Sequence, residues 1–282
     1  IIEVANQLDI KTVLIMDGTF EYKNSIDNPY LRKVGFKLLK RSSFSFVFSP
    51  DILMKKYVEN LGATFKEYIP KHAFYLREGN VERSGNKKVL LTTANNAYFN
   101  ESEFQGLVSL FSSIIKILTE NSICFSFRIF DEKLIKELNI ESIDNDLDCS
   151  FSDCLNNYSH VITTPSTIVY TSILADRPTA IALYRDVPVT QPAGWLFYEN
   201  TALGNSVLNF LDSDLDRMNY QKLNTSNIKY PSLDLATVRN KEKKLSLNNS
   251  FLVLNLEYTT RRLFQKSILS KFKKRLKNAF KG

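Results

Sequence analysis

Three groups of residues have the types and spacing for chemistry on a phosphorylated donor. The first is the turn Thr163-Thr164-Pro165-Ser166-Thr167, set between the apolar runs Val161-Ile162 and Ile168-Val169-Tyr170. With Thr164 as N-cap and Pro165 in the first helical position, Ser166 and Thr167 present backbone N–H groups and hydroxyls together, which suits an anion. A capped helix without any ligand explains the same residues, and the turn alone does not separate the two. The second group is Asp17-Gly18 at the end of the apolar run Lys11 to Met16, with Glu21 as the fallback acid. It is an ordinary turn, or a carboxylate able to serve as general base. The third is the polar run 92–100, in which Thr93, Asn95 and Asn96 offer hydroxyl and amide groups, together with Arg128 near the end of the run Ile123 to Phe130. Arg128 is a permanently charged, fork-shaped phosphate partner or a plain strand-end arginine.

Other candidates carry less. His72 and His160 are isolated and read as structural. Asp144-Asn145-Asp146 and Asp212-Ser213-Asp214 have the Asp-x-Asp form of a metal–sugar motif. Both lie in predicted loops and follow no long buried strand, so no metal and no cofactor is expected. A leaving phosphate would then be stabilised by amides, hydroxyls and a cation.

The elements that must position these groups alternate between strand and helix. Val161 to Leu183 reads as strand, turn, amphipathic helix and second strand, a βαβ unit whose first turn lies at the carboxyl edge of a sheet. Upstream, strands are expected over 11–16, 44–48 and 67–70, and a helix from Ser49-Pro50-Asp51 to Asn60. Residues 77–88 read as a linker. A second α/β pattern follows: strand 87–93, helix 101–121 with an apolar face from Phe104 to Leu118, strand 123–130 and short helices over 133–138 and 152–158. Residues 185–195 read as a turn-rich loop, 204–211 as a helix and 219–250 as irregular.

Length and composition suit one large or two small cores: 282 residues, 44% hydrophobic and 24% charged. No apolar run is long enough to span a bilayer and no secretory signal is visible. The first residue is not Met, and truncation upstream is expected. Cys124, Cys149 and Cys154 are odd in number, and their spacing suits neither a zinc site nor a disulfide framework, so a reducing cytoplasm is expected. From Tyr258 to Gly282 there are nine Lys/Arg and no acid, and removing these from the net +7 leaves −2 for the body. A nearly neutral body argues against a nucleic-acid groove built into the fold.

The order of Asp17-Gly18 after a first-layer strand and Ser166-Thr167 at the turn of a second layer resembles the GT-B glycosyltransferases. It is most similar to bacterial enzymes of surface-polysaccharide synthesis: the CMP-sugar (sialyl and Kdo) transferases and the teichoic-acid glycerophosphotransferases. Those families also carry a His-Pro after a mid-domain strand, and this chain departs from them there, having Phe127-Arg128-Ile129-Phe130-Asp131 instead. The loop Gly194-Trp195-Leu196-Phe197-Tyr198 resembles the segment after this turn in the glycerophosphotransferases. The resemblance covers most of residues 11–210, in layout more than identity.

The resemblance implies an α/β, GT-B-like fold of two Rossmann-like parallel-sheet layers with a cleft between them. It implies an acceptor-side domain over 1–79 with Asp17 and Glu21 as its catalytic candidates. The nucleotide-donor domain would span 80–250, with Thr93, Asn95, Asn96, Arg128, Thr164, Ser166 and Thr167 at the nucleotide. Residues 251–282 are expected to be a basic amphipathic helix. There Phe264, Ile268, Phe272, Leu276 and Phe280 recur every four residues, flanked by Lys273, Lys274 and Arg275. The expected partners are a nucleotide-sugar donor, a glycan or lipid-linked acceptor and the anionic inner face of the cytoplasmic membrane. A CDP-alditol phosphotransferase and a non-catalytic scaffold are the alternatives.

Overall fold

A computed structural model describes residues 2–16, 43–49, 52–60, 62–70, 87–186 and 189–226. All lie in one compact unit, Ile1–Leu233, while a second unit, Asp234–Gly282, is outside the described residues. Asp17, Glu21 and the expected tail helix with Phe264, Ile268, Phe272, Lys273, Lys274, Arg275 and Leu276 also lie outside them. Among the described residues no helix is long and apolar enough to cross a membrane.

The chain is α/β, and its described strands form two wholly parallel sheets. The first holds β1 (Val13–Ile15), β2 (Ser43–Ser49) and β3 (Thr64–Pro70) in that order, with helices α1 (Ile2–Gln7) and α2 (Ile52–Asn60). Phe44, Val58 and Ala63 form its small core, and Phe44 stacks on Phe65 with ring centroids 5.6 Å apart. β1 leads at its carboxyl end to Met16, whose N–H donates to the Phe48 carbonyl at 2.9 Å.

The second sheet has the order β5-β4-β6-β7-β8, from β4 (Lys88–Thr92), β5 (Cys124–Arg128), β6 (His160–Thr163), β7 (Thr179–Ala182) and β8 (Trp195–Phe197). Its inner strands read as unbroken apolar runs because both faces are covered. On one face Val89 and Leu91 of β4 and Ile162 of β6 join the main core with α3 (Glu101–Glu120) and α7 (Leu203–Leu211). On the other, Leu90 packs against Cys154 and Tyr158, and Ile181 of β7 packs on Val169 and Ile173 of α6 (Ile168–Leu174). Two short helices fill the β5–β6 crossover: α4 (Glu132–Glu137), and α5 (Phe151–Cys154) with a 3₁₀ turn over Leu155–Asn157.

α3 forms where the pattern predicts it. Phe104, Leu107, Phe111, Ile114 and Leu118 recur at helical spacing and are all fully buried. Each contributes roughly 1.5–3 kcal/mol of burial. Asn100 caps the helix by accepting from the Glu103 N–H at 2.9 Å. Gly106 admits the chain after β7, since a Cβ there would lie 2.7 Å from the Tyr184 carbonyl oxygen.

Two expectations are corrected here. The segment read as loop up to Trp195 contains the start of β8, and part of the irregular region is α8 (Leu215–Ser226). α8 is docked by Met218 in the main core and by the fully buried Gln221. The Gln221 amide donates to the Arg177 carbonyl at 2.8 Å, and its oxygen accepts from Thr179 N–H at 3.2 Å and Gly194 N–H at 3.3 Å. Gln221 thereby ties together the backbone at the starts of β7 and β8, where the Arg177 carbonyl also accepts from Thr179 Oγ1 at 2.9 Å.

Candidate functional site

The chain runs from β4 outward to β5 and then crosses to β6 on the other side of β4. The segments leaving β4 and β6 therefore diverge, and the crevice at their carboxyl ends is the switch point where open α/β sheets bind ligands. The same dipeptide ends each strand: Thr92-Thr93 after β4 and Thr163-Thr164 after β6. All four threonines are buried. Composition alone gave no cause to single out Thr92 and Thr163, but the repeat of Thr-Thr at two strand ends was a usable signal.

Parallel register puts Thr163, Thr92 and Arg128 in one row across β6, β4 and β5, with side chains on one face. Thr92 Oγ1 donates to the Arg128 carbonyl at 2.9 Å. Thr163 Oγ1 donates to the Thr164 carbonyl at 3.0 Å and lies 3.4 Å from Ser166 Oγ. The Ala94 N–H donates to Thr164 Oγ1 at 2.8 Å, tying the two diverging loops together across the crevice.

That bond corrects the expected role of Thr164. It does not cap a helix beginning at Pro165, because residues 164–166 are bends and α6 begins only at Ile168. Thr167 stands before the helix with φ −68° and makes no side-chain capping bond. The Thr164 hydroxyl is engaged by the neighbouring loop instead, so the turn follows the contact between strands rather than helix-start chemistry. Ser166 is buried and Thr167 half-buried beside it.

Arg128 is 8% exposed. Its guanidinium donates to the Asp146 carbonyl and lies 5.4 Å from the Phe130 ring centroid. Thr93 is buried at the root of the loop, whereas Asn95 and Asn96 are exposed at its tip. The structure thus joins Thr93, Thr164 and Ser166 at the switch point and sets Arg128 on the outer strand of the same edge.

The loop between Thr93 and α3 is held by groups that sequence reasoning passed over. Glu103 Oε2 accepts from the Phe99 N–H at 3.0 Å and pairs with Arg185 Nη1 at 3.1 Å. The Tyr184 hydroxyl donates to the Ala97 carbonyl. Tyr98 donates to Asp131 Oδ2 at 2.6 Å; burial first and then this bond push its pKa up to about 12. Asp131 also caps α4 through the Leu134 N–H. His160 is structural, bonded to Ser159 and Ser213 and edge-on to Phe210.

No family model matches the chain, and no curated protein matches it. Solved structures are similar at low identity. S. aureus MnaA with UDP is 12% identical over 79% of this chain and 64% of its own, with a TM-score of 0.49. An S. aureus TarM mutant in complex with fondaparinux, alpha-GlcNAc-glycerol and UDP is 11% identical over 81% of this chain and 50% of its own, also with a TM-score of 0.49. E. coli heptosyltransferase WaaC with ADP is 11% identical over 78% of this chain and 92% of its own, with a TM-score of 0.35. The chain spans about half the length of TarM and under two thirds of MnaA.

Proposed function

We propose that the chain is a GT-B glycosyltransferase that moves a CMP-activated ulosonic acid, such as Kdo or sialic acid, onto a cell-surface glycan or lipid-linked acceptor. The observation that carries this reading is the β4–β6 switch point, lined by buried hydroxyls and bridged by the Ala94–Thr164 hydrogen bond. A phosphate there would meet Ser166, Thr167 and Thr93 with their backbone N–H groups, and the amides of Asn95 and Asn96 at the loop tip. Arg128 supplies the positive charge for the leaving phosphate in place of a metal, as a preorganised cation at a developing negative charge.

In this reading Asp17, or Glu21 in its stead, takes the proton from an acceptor hydroxyl. The hydroxyl oxygen bonds to the anomeric carbon as the bond from that carbon to the phosphate oxygen breaks. The electron pair leaves on the CMP phosphate. The protein works on the cytoplasmic side, on the inner face of the membrane, where a lipid-linked acceptor lies.

A thermal-shift screen with CMP, CDP, UDP and GDP tests the donor assignment. CMP is expected to stabilise the chain most. CDP alone would favour an alditol phosphotransferase, and no shift with any of the four would favour a scaffold. Asp17→Asn is expected to lower turnover by about 100-fold or more with little change in CMP affinity. Turnover near wild type would leave Asp17 as a turn residue only.

A further inference from the structure

On the crossover side of Arg128, one cluster of side chains has no assigned part in the proposed transfer. Asp146, Cys149 and Cys154 come from the β5–β6 crossover, and one ligand atom of each lies within 4.8 Å of the others. Cys149 Sγ donates to Asp146 Oδ1 at 3.5 Å and Cys154 Sγ to Asp146 Oδ2 at 3.1 Å. We propose that these three residues bind a thiophilic divalent cation, zinc foremost, in a site that fastens the crossover to the outer edge of β5.

The geometry is near what zinc requires. With Zn–S near 2.3 Å and Zn–O near 2.0 Å, the edges between ligand atoms of a tetrahedral site are about 3.5–3.8 Å. Small rotamer changes therefore close the set around an ion. Cys154 is fully buried, whereas Asp146 and Cys149 are half-buried, which leaves the fourth position to water.

The surroundings hold the ligands in place. The Tyr158 hydroxyl donates to Asp146 Oδ2 at 3.1 Å, the kind of outer contact that orients a metal-bound carboxylate. Asn145 pairs with Phe127, and its amide bonds both the N–H and the carbonyl of Ile129 at 2.9 and 2.8 Å. Arg128 holds the Asp146 carbonyl.

Both thiols donate to the one carboxylate, so all three ligand atoms already face a common point. A divalent ion replaces the two thiol protons, which pass to solvent, and the net charge of the cluster stays the same. The spacing of the cysteines alone concealed this, because the third ligand is the aspartate three residues before Cys149.

The probe is cobalt(II), then zinc, added to the reduced chain without oxygen. Cobalt is expected to give thiolate charge-transfer absorption and four-coordinate d–d bands that saturate at a single equivalent and that zinc abolishes. Cys149→Ser and Asp146→Asn, both at half-buried positions, are expected to weaken cobalt binding by about tenfold or more. Cys124→Ser, at an exposed position outside the cluster, should change nothing. Absence of the charge-transfer band, an unchanged band in Cys149→Ser, or an equal loss in Cys124→Ser would overturn the site. Circular dichroism of each variant separates lost binding from lost folding. If Cys154→Ser does not fold, the two half-buried variants decide.

Discussion

Glu103 and Arg185 meet with their side chains only 5% and 4% exposed. A buried pair of this kind is costly to break from one side, because the remaining charge has no water around it. Arg185→Met is therefore expected to cost about 3–5 kcal/mol in urea unfolding, and the double variant Glu103→Gln/Arg185→Met distinctly less. A single-variant cost under about 1 kcal/mol would show that the pair does not hold the loop. Neither residue stood out in the sequence, since their separation along the chain hides a contact made only when β7 comes beside the start of α3. The place of Ser166 and Thr167 after a buried strand was legible, because Val161-Ile162 is an apolar run directly before the turn. The part played by Thr164 was not, because its partner is the Ala94 N–H of another loop.

Elements with strong periodicity were legible. α3 shows its face at helical spacing, and β4, β6 and β7 are short apolar runs between turn residues. β8 was hidden by its length of three residues and by the prolines and glycine before it. α8 was hidden by its polarity: its hold on the sheet is largely the hydrogen bonding of Gln221, and hydrophobic pattern does not report that. The order β5-β4-β6 could not be read from sequence, as alternating strands and helices fix a parallel sheet but not which strand lies in the middle.

At the scale of the whole molecule, the proposed activity needs a donor site, an acceptor-side base and access to the membrane. The basic tail, proposed as an amphipathic helix, would supply the last, each Lys or Arg contributing on the order of 1 kcal/mol near an anionic leaflet. Flotation with anionic liposomes at moderate salt is expected to carry the full chain upward and to leave a chain lacking residues 261–282 behind. Binding that survives the deletion would exclude the tail as the anchor. The central claim is that the β4–β6 crevice holds a nucleotide phosphate, and calorimetry with CMP on the wild type and on Ser166→Ala/Thr167→Ala tests it most directly. The account predicts binding to the wild type, and an affinity about 10-fold or more lower in a double variant that unfolds at an unchanged urea midpoint, each lost hydrogen bond to a charged group being worth about 1.5–3 kcal/mol at most. Equal CMP affinity in the two proteins would contradict it.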